Sequence, residues 1–169
     1  MEFTSERLLY RSYTQEDFEF LLSMLSDPEM VRYIGNGIIR DEQEAKTFLD
    51  WICSHYQMNM EYGLKVIIRK KDNVKVGHAG IVPQNINGKS ELEIGYWIAK
   101  KFWGNGYASE AAKAFIERGE NQLGINRFIS LIQPKNLASR KIASKNGMEL
   151  EEQILLKEKE VFIYSYVRM

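Results

Sequence analysis

The stretch Lys101-Phe102-Trp103-Gly104-Asn105-Gly106-Tyr107-Ala108 joins two glycines to the start of a helical pattern. Glycine lets a backbone approach a ligand closely. The first turn of a helix carries free N–H groups and the positive end of the helix dipole, so a phosphate can be held there. From the glycines alone, the stretch is equally a turn that joins strand to helix. Just upstream, Glu91 and Glu93 stand two apart in an alternating segment. At that spacing on a strand their side chains share a face, about 6–7 Å apart, and Gly95 leaves space beside them. A carboxylate so placed can take a proton from a nucleophile. It can also be part of a solvated strand face.

Two common nucleotide loops are excluded. A P-loop needs Gly-Lys-Ser/Thr before its helix, and Gly106 is followed by Tyr107. The dinucleotide fingerprint needs a third glycine or alanine where Ser109 stands. It also needs an acidic ribose ligand about twenty residues on, where this chain has Gly124.

The elements that would position these residues follow from periodicity. Arg7 to Tyr13 reads as a short strand, and Glu16 to Ser26 as a helix with Phe18, Leu21, Leu22 and Leu25 at helical spacing, broken at Asp27-Pro28. Asp41 caps a second helix with Glu44 as its capping-box partner and Ala45, Phe48, Leu49, Ile52 and Tyr56 on its apolar face. Leu64–Arg69 and Lys75–Val82 form a hairpin, Asn85 to Lys89 is the next turn, and Glu91 to Ile98 alternates. Leu92, Ile94, Tyr96 and Ile98 take one face of that strand, and Glu91, Glu93, Gly95 and Trp97 the other. A helix spans about Tyr107 to Leu123, Arg127 to Ile132 is a strand, and Asn136 caps a short helix ended by Gly147. Glu149–Leu156 and Glu160–Arg168 close the chain as strands. The order β α α β β β α β α β β predicts an α/β (α+β) fold with a mostly antiparallel sheet.

Composition bounds the rest. The 169 residues are 44% apolar and 27% charged, enough for one core without staples. No linker, repeat or low-complexity segment divides them, so one domain over residues 1–169 is expected. Lys+Arg and Asp+Glu are both 23, which points to neither nucleic acid nor an anionic membrane as partner. The single Cys53 excludes an intramolecular disulfide and suits a reducing compartment. Two histidines and one cysteine leave little for a metal site. There is no signal-peptide pattern at Met1 to Ser5 and no apolar run of about 20 residues, so a cytoplasmic location is expected. His78 reads as structural, and Cys53 as an inert core thiol.

Lys101-x-x-Gly104-x-Gly106 resembles the Gln/Arg-x-x-Gly-x-Gly/Ala loop of the GNAT N-acetyltransferases, with Lys101 in place of the usual Gln or Arg. The flanks Glu93-Ile94-Gly95-Tyr96-Trp97-Ile98 and Trp103 to Ala111 are similar to the RimJ/RimL-type branch. So are Asn136-Leu137-Ala138-Ser139-Arg140-Lys141 and Lys145-Asn146-Gly147-Met148, where Met148 replaces the branch's usual Phe. The opening Arg7-Leu8-Leu9-Tyr10-Arg11, with Asp17 and Ser26-Asp27-Pro28-Glu29, is similar too, so the likeness covers nearly the whole chain.

The resemblance implies a twisted sheet of about seven strands flanked by four helices and splayed where acetyl-CoA binds. It implies acetyl-CoA as co-substrate, no metal, and a primary amine as acceptor, either a protein N-terminus or a small molecule. The loop residues Lys101, Phe102, Trp103, Gly104, Asn105, Gly106, Tyr107 and Ala108 would hold the pyrophosphate. The backbone of Trp97, Ile98 and Ala99 would pair with pantetheine, with the Trp97 N–H as oxyanion donor. Glu93 maps to the general base, with Glu91 second. Many members carry a tyrosine acid where this chain has Ala143. The branch instead has a serine matching Ser139, which either bonds the CoA sulfur or serves its own helix. Asn136 would cap its helix and meet pantetheine, and Arg140 either faces the CoA phosphates or lies on the surface. The alternative to an enzyme is a non-catalytic acetyl-CoA-binding module. The C-terminal edge strands leave monomer and homodimer both open.

Overall fold

The computed structural model of the chain describes residues 2–169. Eight strands, β1 (Glu2–Thr4), β2 (Leu8–Ser12), β3 (Gly63–Arg69), β4 (Val74–Ile86), β5 (Lys89–Ile98), β6 (Arg127–Ile132), β7 (Glu149–Leu156) and β8 (Lys159–Val167), form one sheet in the order β1-β2-β3-β4-β5-β6-β8-β7. Every neighbouring pair is antiparallel except β5–β6. Five helices cover it: α1 (Phe18–Leu25), α2 (Pro28–Val31), α3 (Glu42–Met58), α4 (Tyr107–Leu123) and α5 (Leu137–Lys145).

The strand and helix counts exceed the expected seven and four by one each, for local reasons. β1 is only three residues long, too short to show a period. Pro28 does stop the first helix, but it also starts α2, because a proline at the first helical position gives up an N–H that has no partner anyway. The expected turn at 85–89 is tighter than its composition suggests. Asn87 and Gly88 both take positive φ, 52° and 83°, the pattern of a two-residue hairpin turn. The β4–β5 ladder therefore runs on to Ile86 and Lys89.

The helices divide the core between the two sheet faces. On one face α4 buries Ala111, Ala112, Phe115 and Ile116 against Tyr10, Ile81, Ile94 and Phe128. On the other, α1, α2 and α3 bury Leu21, Leu25, Met30, Leu49 and Ile52 against Leu64, Val66 and Val82. The capping box of α3 forms as its spacing predicts. Glu44 N–H donates to Asp41 Oδ1 at 2.8 Å, and Asp41 N–H to Glu44 Oε1 at 3.2 Å.

One charged group ties the first helix to the sheet. Asp17 is 1% exposed and accepts from Arg11 Nη1 and Nη2 at 2.8 and 2.9 Å, from Lys75 Nζ at 2.7 Å and from Thr14 N–H at 2.9 Å. Burial alone would raise its pKa, but the Arg11, Lys75 and Thr14 donors hold it well below the usual carboxylate range. Its stabilisation is therefore present above the unfolded value near 3.9 and lost as pH falls towards the depressed folded value. Replacing Asp17 by Ala leaves two cations facing a void. It should cost about 3 kcal/mol and flatten the acid limb of stability, measured by urea unfolding at a series of pH values.

Candidate active site

β5 and β6 meet in register only at Glu93 and Ile129. β5 then stays on β4 as far as Ile98, while β6 stays on β8. The two strands therefore part towards the end of β5, and the parted backbones cannot bond each other. Two side chains bond them at the fork. Leu131 N–H donates to Glu93 Oε2 at 3.2 Å, and the Ser130 hydroxyl donates to the Ile94 carbonyl at 2.8 Å.

The Ser130 bond shows which way the β5 backbone faces. With the Ile94 carbonyl turned towards β6, the two-residue alternation turns the backbone groups of Tyr96 and Ile98 the same way. Trp97 faces β4 instead. It is paired there with His78, the Ala99 N–H donates to the Val76 carbonyl at 2.8 Å, and the Trp97 carbonyl lies 2.1 Å from where a Cβ on Gly77 would stand. The backbone of Trp97, the expected oxyanion donor, therefore faces β4 and not the gap. The N–H groups turned to the gap are those of Tyr96 and Ile98. The Trp97 ring lies on the sheet face that α3 covers, with its centroid 4.7 Å from that of His78 and 5.8 Å from that of Phe48.

The two carboxylates of β5 have different surroundings. Glu91 is held by Arg127 at 3.1 and 3.0 Å and by Lys89 at 3.3 Å. Burial pulls its pKa up, but these cations more than offset that and leave it lowered. Glu91 is thus an ion-pair member and not a free base. Glu93 has no cation partner. Its Oε1 accepts from Gln84 Nε2 at 2.9 Å and its Oε2 from Leu131 N–H. Burial raises its pKa, and the two neutral donors offset that only in part. Each carboxylate oxygen keeps acceptor capacity for a further partner.

The loop that follows β5 is built to keep its backbone open. Phe102 and Tyr107 turn their side chains into the core, so only their backbone faces out. Gly104 and Gly106 have φ of 81° and 77°, and a Cβ on Gly104 would meet nothing within 4 Å. Gly106 directly precedes the first turn of α4. The Trp103 indole N–H donates to the Ile98 carbonyl at 2.6 Å, folding the loop back over the end of β5. Lys101 and Asn105 are exposed, with the Lys101 amine 5.0 Å from the Phe102 ring centre. Arg7 braces the loop from the far side. Its Nη1 donates to the Asn105 carbonyl at 2.8 Å, its Nε to Glu110 Oε2 at 2.7 Å, and its guanidinium lies 4.7 Å from the Tyr107 ring centre.

On the other wall of the gap, Asn136 caps α5 by accepting from Ser139 N–H at 3.2 Å. Ser139 is half-buried, and its carbonyl accepts from the Tyr96 hydroxyl at 3.0 Å. Arg140 turns away from the loop. Its Nε donates to the Tyr164 hydroxyl and its Nη1 to the Pro134 carbonyl, both at 3.1 Å, and it lies over the Phe162 ring. It therefore holds α5 to β8. Ala143 is buried, with no hydroxyl to offer. His78 is fully buried and kept neutral by a pKa pushed down to about 3. Burial raises the pKa of Cys53, as suits an unreactive thiol. Gln84, Tyr96, Ser130 and Arg7 are site residues that sequence reasoning missed. Among the described residues, no group of three or more His, Cys, Asp or Glu is placed to hold a metal, and no helix is long and apolar enough to cross a membrane.

Residues 7–149 match the family described as acetyltransferase (GNAT) domain. The chain belongs to the GNAT acetyltransferase family. YnaD of Bacillus subtilis strain 168, an uncharacterized N-acetyltransferase, is 33% identical over 151 residues, covering 89% of this chain and 84% of that one. A crystal structure of a GNAT-family acetyltransferase from Bacillus anthracis superposes with a TM-score of 0.80 at 28% identity, over 99% of this chain and 98% of the other. RimL, a ribosomal L7/L12 alpha-N-protein acetyltransferase in complex with coenzyme A, shares the fold with a TM-score of 0.81 at 19% identity, over 99% and 98% of the two chains. The parted strands and the glycine loop described above thus sit in a GNAT fold.

The loop geometry makes a direct prediction. Gly106→Ala places a Cβ on a left-handed residue, which should cost about 1–2 kcal/mol. It should also reduce by at least half the rise in melting temperature produced by acetyl-CoA, measured by thermal melts with and without the thioester.

Proposed function

We propose that the protein is an acetyl-CoA-dependent N-acetyltransferase. It passes the acetyl group to a primary amine, of a protein N-terminus or a small molecule, by direct attack in a ternary complex. The observation that carries this reading is the fork. It combines a carboxylate of raised pKa, two backbone N–H groups turned to the gap, and an open glycine loop at the helix start that follows β5.

Acetyl-CoA supplies the thioester whose carbonyl carbon the amine attacks, and the C–S bond breaks to release free thiol. The backbone N–H groups from Gly104 to Ala108 hold the pyrophosphate, with the α4 dipole favouring its charge. The N–H groups of Tyr96 and Ile98 face the carbonyl oxygen as it gains negative charge. Such fixed donors in a partly dry site are worth a few kcal/mol. An α-amine has a pKa near 8 and a lysine amine near 10.4, so both arrive protonated at pH 7. Glu93, directly or through a water, takes the proton from the amine nitrogen. In this reading Asn136 bonds the pantetheine arm and the Ser139 hydroxyl meets the departing sulfur, which leaves as thiolate and is then protonated. Lys101 and Asn105 flank the phosphate path. The RimL likeness supports a protein N-terminal amine among the acceptors.

The test follows free thiol release from acetyl-CoA against N-terminal peptides, lysine peptides, polyamines and aminoglycosides. Release above the amine-free control is expected with at least one class. Acetyl-CoA binding without release from any of them would instead fit a binding module. Glu93→Gln should lower kcat about 100-fold and remove the acid limb of the pH–rate profile. In the unaltered protein the rate should fall as pH drops through the raised Glu93 pKa, because the base is then protonated. Glu91→Gln should leave that limb in place and lower the melting temperature instead.

A further inference from the structure

Several glycines of the sheet and its helices have evident structural reasons. A Cβ on Gly77 would stand 2.1 Å from the Trp97 carbonyl, one on Gly80 2.1 Å from the Gly63 carbonyl, and one on Gly119 2.4 Å from Phe128 Cζ. Gly63 has a φ of 87°. Gly95 has no such reason. It lies in the middle of β5, and it is not among the residues of positive φ. An added Cβ would meet only Leu64 Cδ2, at 3.5 Å, an ordinary contact with the end of a flexible side chain. Glycine within a strand is less stable than alanine, so neither packing nor backbone conformation accounts for it.

What surrounds the missing side chain suggests a use. Position 95 stands on the sheet face of Glu93 and Trp97, between the candidate base and the indole. Gly95 is half-buried, and only the end of the Leu64 side chain stands near the place of its missing Cβ. The next residue, Tyr96, turns its N–H into the gap. Position 95 is thus a partly exposed point of the strand beside Glu93 and next to the gap.

We propose that Gly95 determines acceptor specificity: the space its missing side chain leaves between Glu93 and Trp97 takes the carbon that bears the acceptor amine. A hydrogen at position 95 admits an amine on a branched carbon, such as a peptide α-amine. A methyl there competes with the branch and spares an unbranched CH2–NH2. This inference rests on the acetyl-transfer reading and narrows it.

The test uses binding, so it does not depend on turnover. Two CoA conjugates carry an N-substituted acetamide on sulfur, one with an n-propyl group and one with an alanine amide. Calorimetry compares each with CoA on the unaltered protein, Gly95→Ala and Gly95→Val. The unaltered protein should bind both conjugates more tightly than CoA. Gly95→Ala should weaken the branched conjugate about tenfold and leave the propyl conjugate and CoA unchanged. Gly95→Val should weaken both conjugates while CoA binds as before. The melting temperature of Gly95→Ala should be no lower than that of the unaltered protein. Equal binding of both conjugates by all three proteins would overturn the inference, as would conjugates that bind the unaltered protein no better than CoA. An unaltered protein that binds neither CoA nor the conjugates would overturn the acetyl-transfer reading itself.

Discussion

A parallel strand pair that opens after one register pair leaves backbone donors and acceptors without their ladder partners, and a buried polar group without a partner is costly. In this chain the parting of β5 from β6 is the constraint on which the site depends. The cost is met at the crotch of the fork by Glu93 and Ser130, which supply the bonds that the ladder no longer makes. Beyond the crotch the Trp103 indole answers the Ile98 carbonyl, and the Tyr96 and Ile98 N–H groups face the gap, where a ligand or water must answer them. The same carboxylate that closes the fork is the proposed base and has no cation partner among the described residues. Its structural and chemical roles arise from one position.

Holding the fork open requires rigid walls. β5 is fastened along its whole length to β4, helped by Gly77 and Gly80, which let the strands and their neighbours approach closely. β6 is fastened to β8, and Arg140 ties α5 to the same strand. The glycine loop at the open end is pinned from inside by Phe102 and Tyr107 and from outside by Arg7. The loop can present its backbone because its side chains are committed elsewhere. As exposed Arg7 ties the loop to the sheet edge, buried Asp17 ties the helical layer on the other face to β2 and β4.

Local features of the chemistry were legible in the sequence, because glycine spacing, capping boxes and apolar periods are local signals. The α3 capping box, the Asn136 cap and the boundaries of α4 follow from a few adjacent residues. What was not legible depends on strand register. The expected strand stops at Val82 and the expected turn begins at Asn85, which leaves Gln84 outside the strand. The two-residue turn at Asn87-Gly88 carries the ladder past them, puts Val82 opposite Glu93, and makes Gln84 a diagonal neighbour on the same face. That turn was the signal that could have found Gln84. Which backbone N–H groups of β5 face the gap is likewise a matter of parity, and one residue of shift exchanges Trp97 for Tyr96. Long side chains such as Arg7 and Arg140 reach partners that no local pattern names.

The central claim is that the parted edge of β5 offers the Tyr96 and Ile98 N–H groups to the thioester. Amide hydrogen exchange read residue by residue by NMR, with and without acetyl-CoA, tests it most directly. The account predicts that Trp97 is already slow in the free protein, because it is bonded to β4, and that Tyr96 and Ile98 exchange quickly until acetyl-CoA slows them. Slowing at Trp97, with Tyr96 and Ile98 unmoved by acetyl-CoA, would contradict it.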